Sequence, residues 1–191
     1  MNERDTTAAP TTAPHPPGPN TAAPAPAAAP ATAAHPRFAE ALRELGLGHL
    51  AGEIRRFPDA TRTAAEAAAA VGCALDEIVK SLVFEADGVP VLVLMDGASR
   101  VDLERVRQEL GAAAVTRANA DRVRETTGYA IGGIPPFGHR TKTTVLADRG
   151  LLDHAVVWAA AGTPHTVFPM DPASLVAHAG GTLVDVRERK A

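Results

Sequence analysis

The sequence predicts an α/β mixed (α+β) domain, a curled and largely antiparallel mixed sheet with flanking helices. Three observations carry this. Short strand-length and helix-length patterns interleave without the regular ~30-residue spacing of βαβ units. Asp87-Gly88 separates two apolar runs, and that dipeptide favours a tight hairpin and so an antiparallel pair. Capped helix starts recur between the apolar runs, at Thr63, Asp102, Asn119 and Asp171.

The elements follow in order. Phe38, Ala41, Leu42 and Leu45 recur at helical spacing over Arg37 to Leu45, and Gly46 and Gly48 stop that helix. Glu53 to Phe57 reads as a short strand ended by Pro58. Thr63 and Glu66 form a capping box opening an Ala-rich helix that ends at Gly72. Asp76 to Val79 reads as one helical turn, then Lys80 to Glu85 and Val89 to Met95 as the hairpin strands. Asp102 caps a helix to Leu110 with Leu103, Val106 and Leu110 facing inward, and Ala113 to Thr116 is strand-like. Asn119 caps a helix to about Thr126. Thr143 to Ala147, Val156 to Ala160 and Thr166 to Phe168 are strand runs, the last stopped by Pro169. Asp171-Pro172 opens a helix that Gly180-Gly181 closes, and Thr182 to Val186 is the final strand.

Composition bounds the rest. Eight of the sixteen prolines lie between Pro10 and Pro30 among Ala and Thr, with no large apolar residue. Such a segment cannot bury enough surface to offset the entropy of ordering, so residues 1–34 are expected to be a disordered tail. Residues 35–191 fit one domain. The net charge of −3 lacks the basic excess of a general nucleic-acid binder. The single cysteine, Cys73, excludes an internal disulfide and a Cys-rich zinc site, and its surroundings predict a buried core position. It suits a reducing compartment, and no apolar run reaches spanning length; a cytoplasmic protein without a membrane partner is expected.

Gly128 to His139 holds four glycines, two adjacent prolines and two aromatics, which neither a helix nor a central strand tolerates. It must be a shaped loop, and its bare backbone N–H groups can face a ligand. Lys80 stands at the start of an apolar strand; taken alone it reads as an exposed strand-end lysine. Tyr129, Ile131 and Phe137 read equally as pocket lining or as core. His139 and His165 read as solvated loop residues, and Asp148 as a turn or cap. Six arginines from Arg100 to Arg124 alternate with acids, as on solvated helix faces. No Ser-His-Asp set, carboxylate pair or metal cluster can be picked out.

Three segments resemble the YbaK/EbsC family, the aminoacyl-tRNA deacylases related to the editing domain of bacterial prolyl-tRNA synthetase. They are Asp76 to Phe84 around Lys80, Thr127 to Gly138 with its Gly132-to-Pro136 signature, and the loop Ala159 to His165. They occur in the family's order, and the resemblance extends over residues 37–187. The resemblance implies the family's curled α/β fold and hydrolysis of the ester joining a wrong amino acid to tRNA. The partner it implies is the 3′ aminoacyl-adenosine end of a mischarged tRNA of the tRNA(Pro) type, edited in trans, with a synthetase as a further candidate partner. It implies no cofactor. Lys80 and Gly132 become the catalytic candidates, Lys80 for the terminal adenosine and phosphate, the Gly132-Gly133 loop for the oxyanion. Ser81, Tyr129, Gly133, Ile134, Pro136, Gly162 and His165 become candidate substrate contacts. A free ribose hydroxyl of the substrate would activate water. Ala159-Ala160-Ala161 stands where some relatives carry Ser, which leaves the amino acid open. Two alternatives stand beside this reading: a catalytically inactive module that binds an aminoacyl or tRNA end, and a hydrolase of another small acyl ester or thioester.

Overall fold

A computed structural model describes residues 34–61 and 63–189. The expected tail lies outside the described residues, apart from Ala34. Five helices and eight strands follow one another as α1 (Pro36–Glu44), β1 (Arg55–Arg56), α2 (Ala64–Val71), β2 (Val79–Ala86), β3 (Val89–Asp96), α3 (Leu103–Leu110), β4 (Val115–Arg117), α4 (Ala120–Thr127), β5 (Thr144–Asp148), β6 (Val157–Ala160), β7 (Thr166–Met170), α5 (Pro172–Ala179) and β8 (Thr182–Val184). The strands form a five-stranded sheet, β4-β2-β3-β5-β8, and a three-stranded sheet, β1-β7-β6. In the larger sheet β2 is antiparallel to β3 and β4, whereas β3, β5 and β8 run parallel. The smaller sheet is antiparallel throughout.

Local chemistry explains most boundaries. Both halves of the Thr63–Glu66 capping box form, and Gly72 takes the left-handed conformation that ends α2. Asp87 (φ 49°) and Gly88 (φ 81°) both take positive φ, as a two-residue hairpin whose twist matches the strands requires. The Asp87 carboxylate also accepts from the N–H groups of Ala113 and Ala114, which docks the start of β4 beside the hairpin. Asp171 caps α5 through the N–H of Ser174, with Pro172 in the first turn.

Three expectations change. Leu103 does not face inward; it is 39% exposed, and Val106 alone on α3 is fully buried. Pro169 does not stop β7 but lies inside it opposite Trp158. The register permits this because β1 pairs only with Thr166 and Val167, leaving no ladder partner at Pro169 on that side. Cys73 is half-buried beside α2, not a core residue, and burial pushes its thiol upward in pKa.

Alternation along β2 and β3 divides the interior. Val79, Val83, Leu92 and Leu94 face the smaller sheet, in a cluster with Phe38, Leu42 and Phe168. Phe84, Val91, Val93 and Met95 face the other way, against Val106 of α3. Both faces of the central strands are thus covered, which is why Val89 to Met95 reads as a continuous apolar run.

Candidate active site

The two sheets are joined at one edge by a bridge between Ile78 and Trp158. Further along β2, β4 reaches only Phe84 to Ala86, and the N–H of Ala118 donates to the Val83 carbonyl. The edge of β2 between these two anchor points borders a cavity of about 300 Å³. Val79 to Val83 form one wall, Trp158, Ala160, Thr166 and Val167 the opposite one, and Ala64 and Ala67 of α2 with Val123 of α4 the sides. Ile131 (61% exposed) and Gly132 stand at its rim, with Ile134 buried below them.

Polar groups in this apolar cavity are few. Ser81 shares the face of Val79 and Val83, so its hydroxyl points into the cavity; Oγ is shut off from solvent and has no hydrogen-bond partner among the described residues. A buried hydroxyl without a partner is costly and is the kind of group a ligand satisfies. Lys80 borders the cavity and also a neighbouring groove formed by Leu82, Phe84, Arg100 and Arg117. It is not the free strand-end lysine that its position alone suggests. Its Nζ donates to the carbonyls of Gly97 (3.2 Å) and Ser99 in the loop after β3. An ammonium has three donors, so one remains. Burial, the largest influence, pulls the Lys80 pKa below its ordinary value; Asp96 opposes that, and Arg100 and Arg117 add to it.

The glycine loop is a tight turn. The N–H of Gly133 donates to the Ala130 carbonyl (3.0 Å), with Gly132 at φ 87° in the third position, the pattern of a type II turn. Gly133 therefore cannot lend its N–H to an oxyanion, contrary to expectation, whereas the N–H of Gly132 has no backbone partner among the described residues. The two glycines also differ in the space around them. A Cβ on Gly132 would meet nothing nearer than Pro164 at 3.9 Å, but one on Gly133 would sit 2.7 Å from the Thr163 Cα. Gly133 is where the second loop packs on the third.

Of the candidate residues, Lys80, Ser81, Gly132 and Ile134 share the cavity. Tyr129, Gly133, Pro136, Gly162 and His165 are not part of its wall. Tyr129 is buried, its hydroxyl donates to the Gly138 carbonyl (2.8 Å), and burial raises its pKa. Gly162 (φ 97°) packs under that ring and against His35, where a Cβ would lie 2.3 Å from the His35 Cβ. The backbone of His165 is engaged with Phe57 and Thr163. Phe137 is core, packed on Phe38 and Phe168. His139 is half-buried rather than freely solvated: its Nε2 lies 2.7 Å from the Pro135 carbonyl oxygen, and burial lowers its pKa. Asp148 does cap the turn after β5, accepting from Gly150 N–H. Arg105, Arg107, Arg122 and Arg124 are paired with acids, as solvated faces predict.

Sequence reasoning missed Thr61, Ala67, Trp158 and Thr166. Thr61 ties the third loop down, its N–H and hydroxyl both donating to the Pro164 carbonyl. Trp158 carries the Arg55 guanidinium over its ring at 4.4 Å. A lone Trp in an apolar run is the available signal; the bridge that brings it beside Ile78 is non-local and leaves none.

Comparison with known proteins bears on the family. Residues 58–177 match the model of the aminoacyl-tRNA editing domain. The uncharacterized protein YwhH of Bacillus subtilis is 31% identical over 124 residues, 64% of this chain and 78% of that protein. The proline–tRNA ligase of Nitratidesulfovibrio vulgaris is 34% identical over 89 residues, which is 47% of this chain but only 16% of the ligase. A solved structure of a candidate trans-editing enzyme for prolyl tRNA synthetase superposes with a TM-score of 0.75 at 42% identity, over 80% of this chain and 96% of that one. The chain belongs to the aminoacyl-tRNA editing domain family. Its activity class is aminoacyl-tRNA deacylation, hydrolysis of the ester between an amino acid and tRNA. Among the described residues no helix is long and apolar enough to cross a membrane.

Proposed function

We propose that this chain is a trans-acting deacylase that clears a mis-attached amino acid from a tRNA of the tRNA(Pro) type, in the cytoplasm where translation runs. The observation that carries the reading is the sharing of one cavity by Lys80, Ser81 and Gly132. The aminoacyl group enters the apolar space, and the Ser81 hydroxyl meets a polar atom on it. The remaining donor of Lys80 faces the negative end of the nucleotide or the ester oxygen, as a point charge on a stem already held in place. As the carbonyl becomes tetrahedral, the unspent N–H of Gly132 is the backbone donor at the rim able to take the developing oxyanion; a donor of this kind contributes about 3 kcal/mol. Gly133, Tyr129, Pro136 and Gly162 hold that loop in shape rather than touch the substrate, and His165 joins them through its backbone. The substrate's own ribose hydroxyl supplies the base that activates water.

The likeness to the trans-editing candidate and to a proline–tRNA ligase supports the tRNA class. The test is a panel of mischarged and correctly charged tRNAs incubated with pure protein. Loss of one or a few mischarged species, with sparing of correctly charged ones, is expected. Uniform inactivity would favour a binding module, and equal hydrolysis of simple acyl esters a general esterase.

A further inference from the structure

We propose that Asp96 is a positioning residue for Lys80, acting through the Gly97–Ser99 loop. This rests on the reading of Lys80 as the cation that faces the substrate. Asp96 ends β3 and is 2% exposed. Its Oδ1 accepts from the N–H groups of Ala98 (2.9 Å) and Ser99 (2.8 Å), which curls the loop back over the strand end. That curl turns the carbonyls of Gly97 and Ser99 onto the Lys80 Nζ. Gly97 itself admits no side chain, since a Cβ would lie 2.1 Å from the Leu75 carbonyl oxygen. The loop has therefore one arrangement, with Asp96 as its internal template.

The carboxylate is in turn fixed from behind. Arg187 Nη2 lies 3.1 Å from Asp96 Oδ2 and 2.9 Å from Asp148 Oδ1. Asp148 is held by the N–H groups of Gly150 and Val186. Gly150 makes room for the guanidinium, because a Cβ there would overlap Arg187 Nη2. The ends of parallel strands β3 and β5 are thus clamped to one cation, and the chain of contacts runs from Asp148 through Arg187, Asp96 and the loop to the ammonium. Two of the three Lys80 donors are consumed in this way, so the third is left in one direction. A side chain with four rotatable bonds becomes a fixed charge, the state that preorganised catalysis needs.

The chain has only three lysines, Lys80, Lys142 and Lys190, so lysine labelled with ¹³C at Cε gives a readable spectrum. The groups facing Lys80 are Asp96, Arg100, Arg117 and Glu188. The Lys80 signal is assigned by its loss in Lys80→Ala. Asp96→Asn keeps an acceptor for both loop N–H groups but removes the charge. It is expected to lower the titration midpoint of the Lys80 signal while leaving those of Lys142 and Lys190 unmoved. Asp96→Ala removes both, and kcat is expected to fall by about 10- to 100-fold with KM little changed, Asn restoring much of the loss. An unmoved Lys80 titration in Asp96→Asn overturns the proposal; so does wild-type kcat in a folded Asp96→Ala. The Asp96→Asn spectrum reads the coupling of Asp96 to the ammonium whether or not Ala folds and whatever the substrate is. Full activity of Lys80→Ala would instead overturn the functional reading, a separate outcome.

Discussion

Two recesses among the described residues are opposites. One is the cavity of about 300 Å³ between the sheets, lined by Ala, Val, Ile and Thr. The other is a cleft of about 1270 Å³ around the ends of the parallel strands, lined by Arg100, Arg149, Asp153, Asp185, Arg187 and their neighbours. Size and charge alone would favour the cleft as the site. Yet its buried charges are already matched, since Asp96 and Asp148 share Arg187, and at its exposed rim Arg149 faces Asp185 at 3.7 Å. In the apolar cavity, a buried hydroxyl and a backbone N–H have no partner among the described residues. Unspent polar groups, not polarity, mark the place where a ligand binds, because satisfied networks have nothing left to offer one. Lys80 links the two, its amine held by the loop that roofs the polar cleft and its strand bordering the apolar cavity.

Filling one recess and disturbing the other gives the largest contrast. Ala160→Phe occupies the apolar cavity and is expected to lower kcat/KM by about 100-fold or more, since the acyl group loses its place. Arg149→Ala in the polar cleft should leave turnover within about twofold, because an exposed ion pair is worth little. Equal losses in the two variants would erase the distinction.

Gly133→Ala and Gly132→Ala separate packing from backbone strain within one loop. The first drives a methyl into the Thr163 backbone, and denaturant titration should record a loss of about 1–3 kcal/mol. The second meets open space but retains φ 87°, costing about 1 kcal/mol. Its main effect belongs in kcat, by displacing the free N–H.

Ser81→Ala sharpens the claim about unspent groups. The hydroxyl has nothing to lose in the folded state, so unfolding should show unchanged or slightly increased stability, while kcat/KM falls by about 10-fold. A destabilised Ser81→Ala with full activity would mean that Oγ serves the fold.

The smallest effect lies on α3, at a side chain that lines neither recess. Hydrogen bonds from Arg107 and Gln108 pull the exposed Glu104 carboxyl down to about 2. A depressed carboxylate stabilises the fold above its unfolded pKa and loses that contribution as pH falls through the folded value. Glu104→Gln should therefore flatten the stability loss between the ordinary glutamate range and about pH 2, with the wild-type shape of the curve kept above that range.

What the sequence discloses follows the range of the forces involved. The Asp87-Gly88 hairpin, the Thr63–Glu66 box and the Asp171-Pro172 start are decided within four residues, and each forms where the chain signals it. Lys80, Ser81, Gly132 and Ile134 are legible as a group through the family segments and do share a cavity. Tyr129, Gly162 and His165 lie in those same segments but pack behind the site, and segment identity cannot tell a wall from its support. The Asp96–Arg187–Asp148 clamp joins residues from distant parts of the chain, and such pairing leaves no local pattern. Pro169 misleads because the strand-breaking rule holds only where the ladder needs its N–H, and the register exempts it.

The central claim is that the ammonium of Lys80 acts at the ester of a charged tRNA. It is tested most directly by single-turnover deacylation of the mischarged tRNA that wild-type protein clears fastest, comparing wild type with Lys80→Ala at matched thermal stability. The account predicts a rate reduced by about 100-fold or more, with the unfolding midpoint kept. A Lys80→Ala protein that clears the same tRNA at the wild-type rate would contradict it.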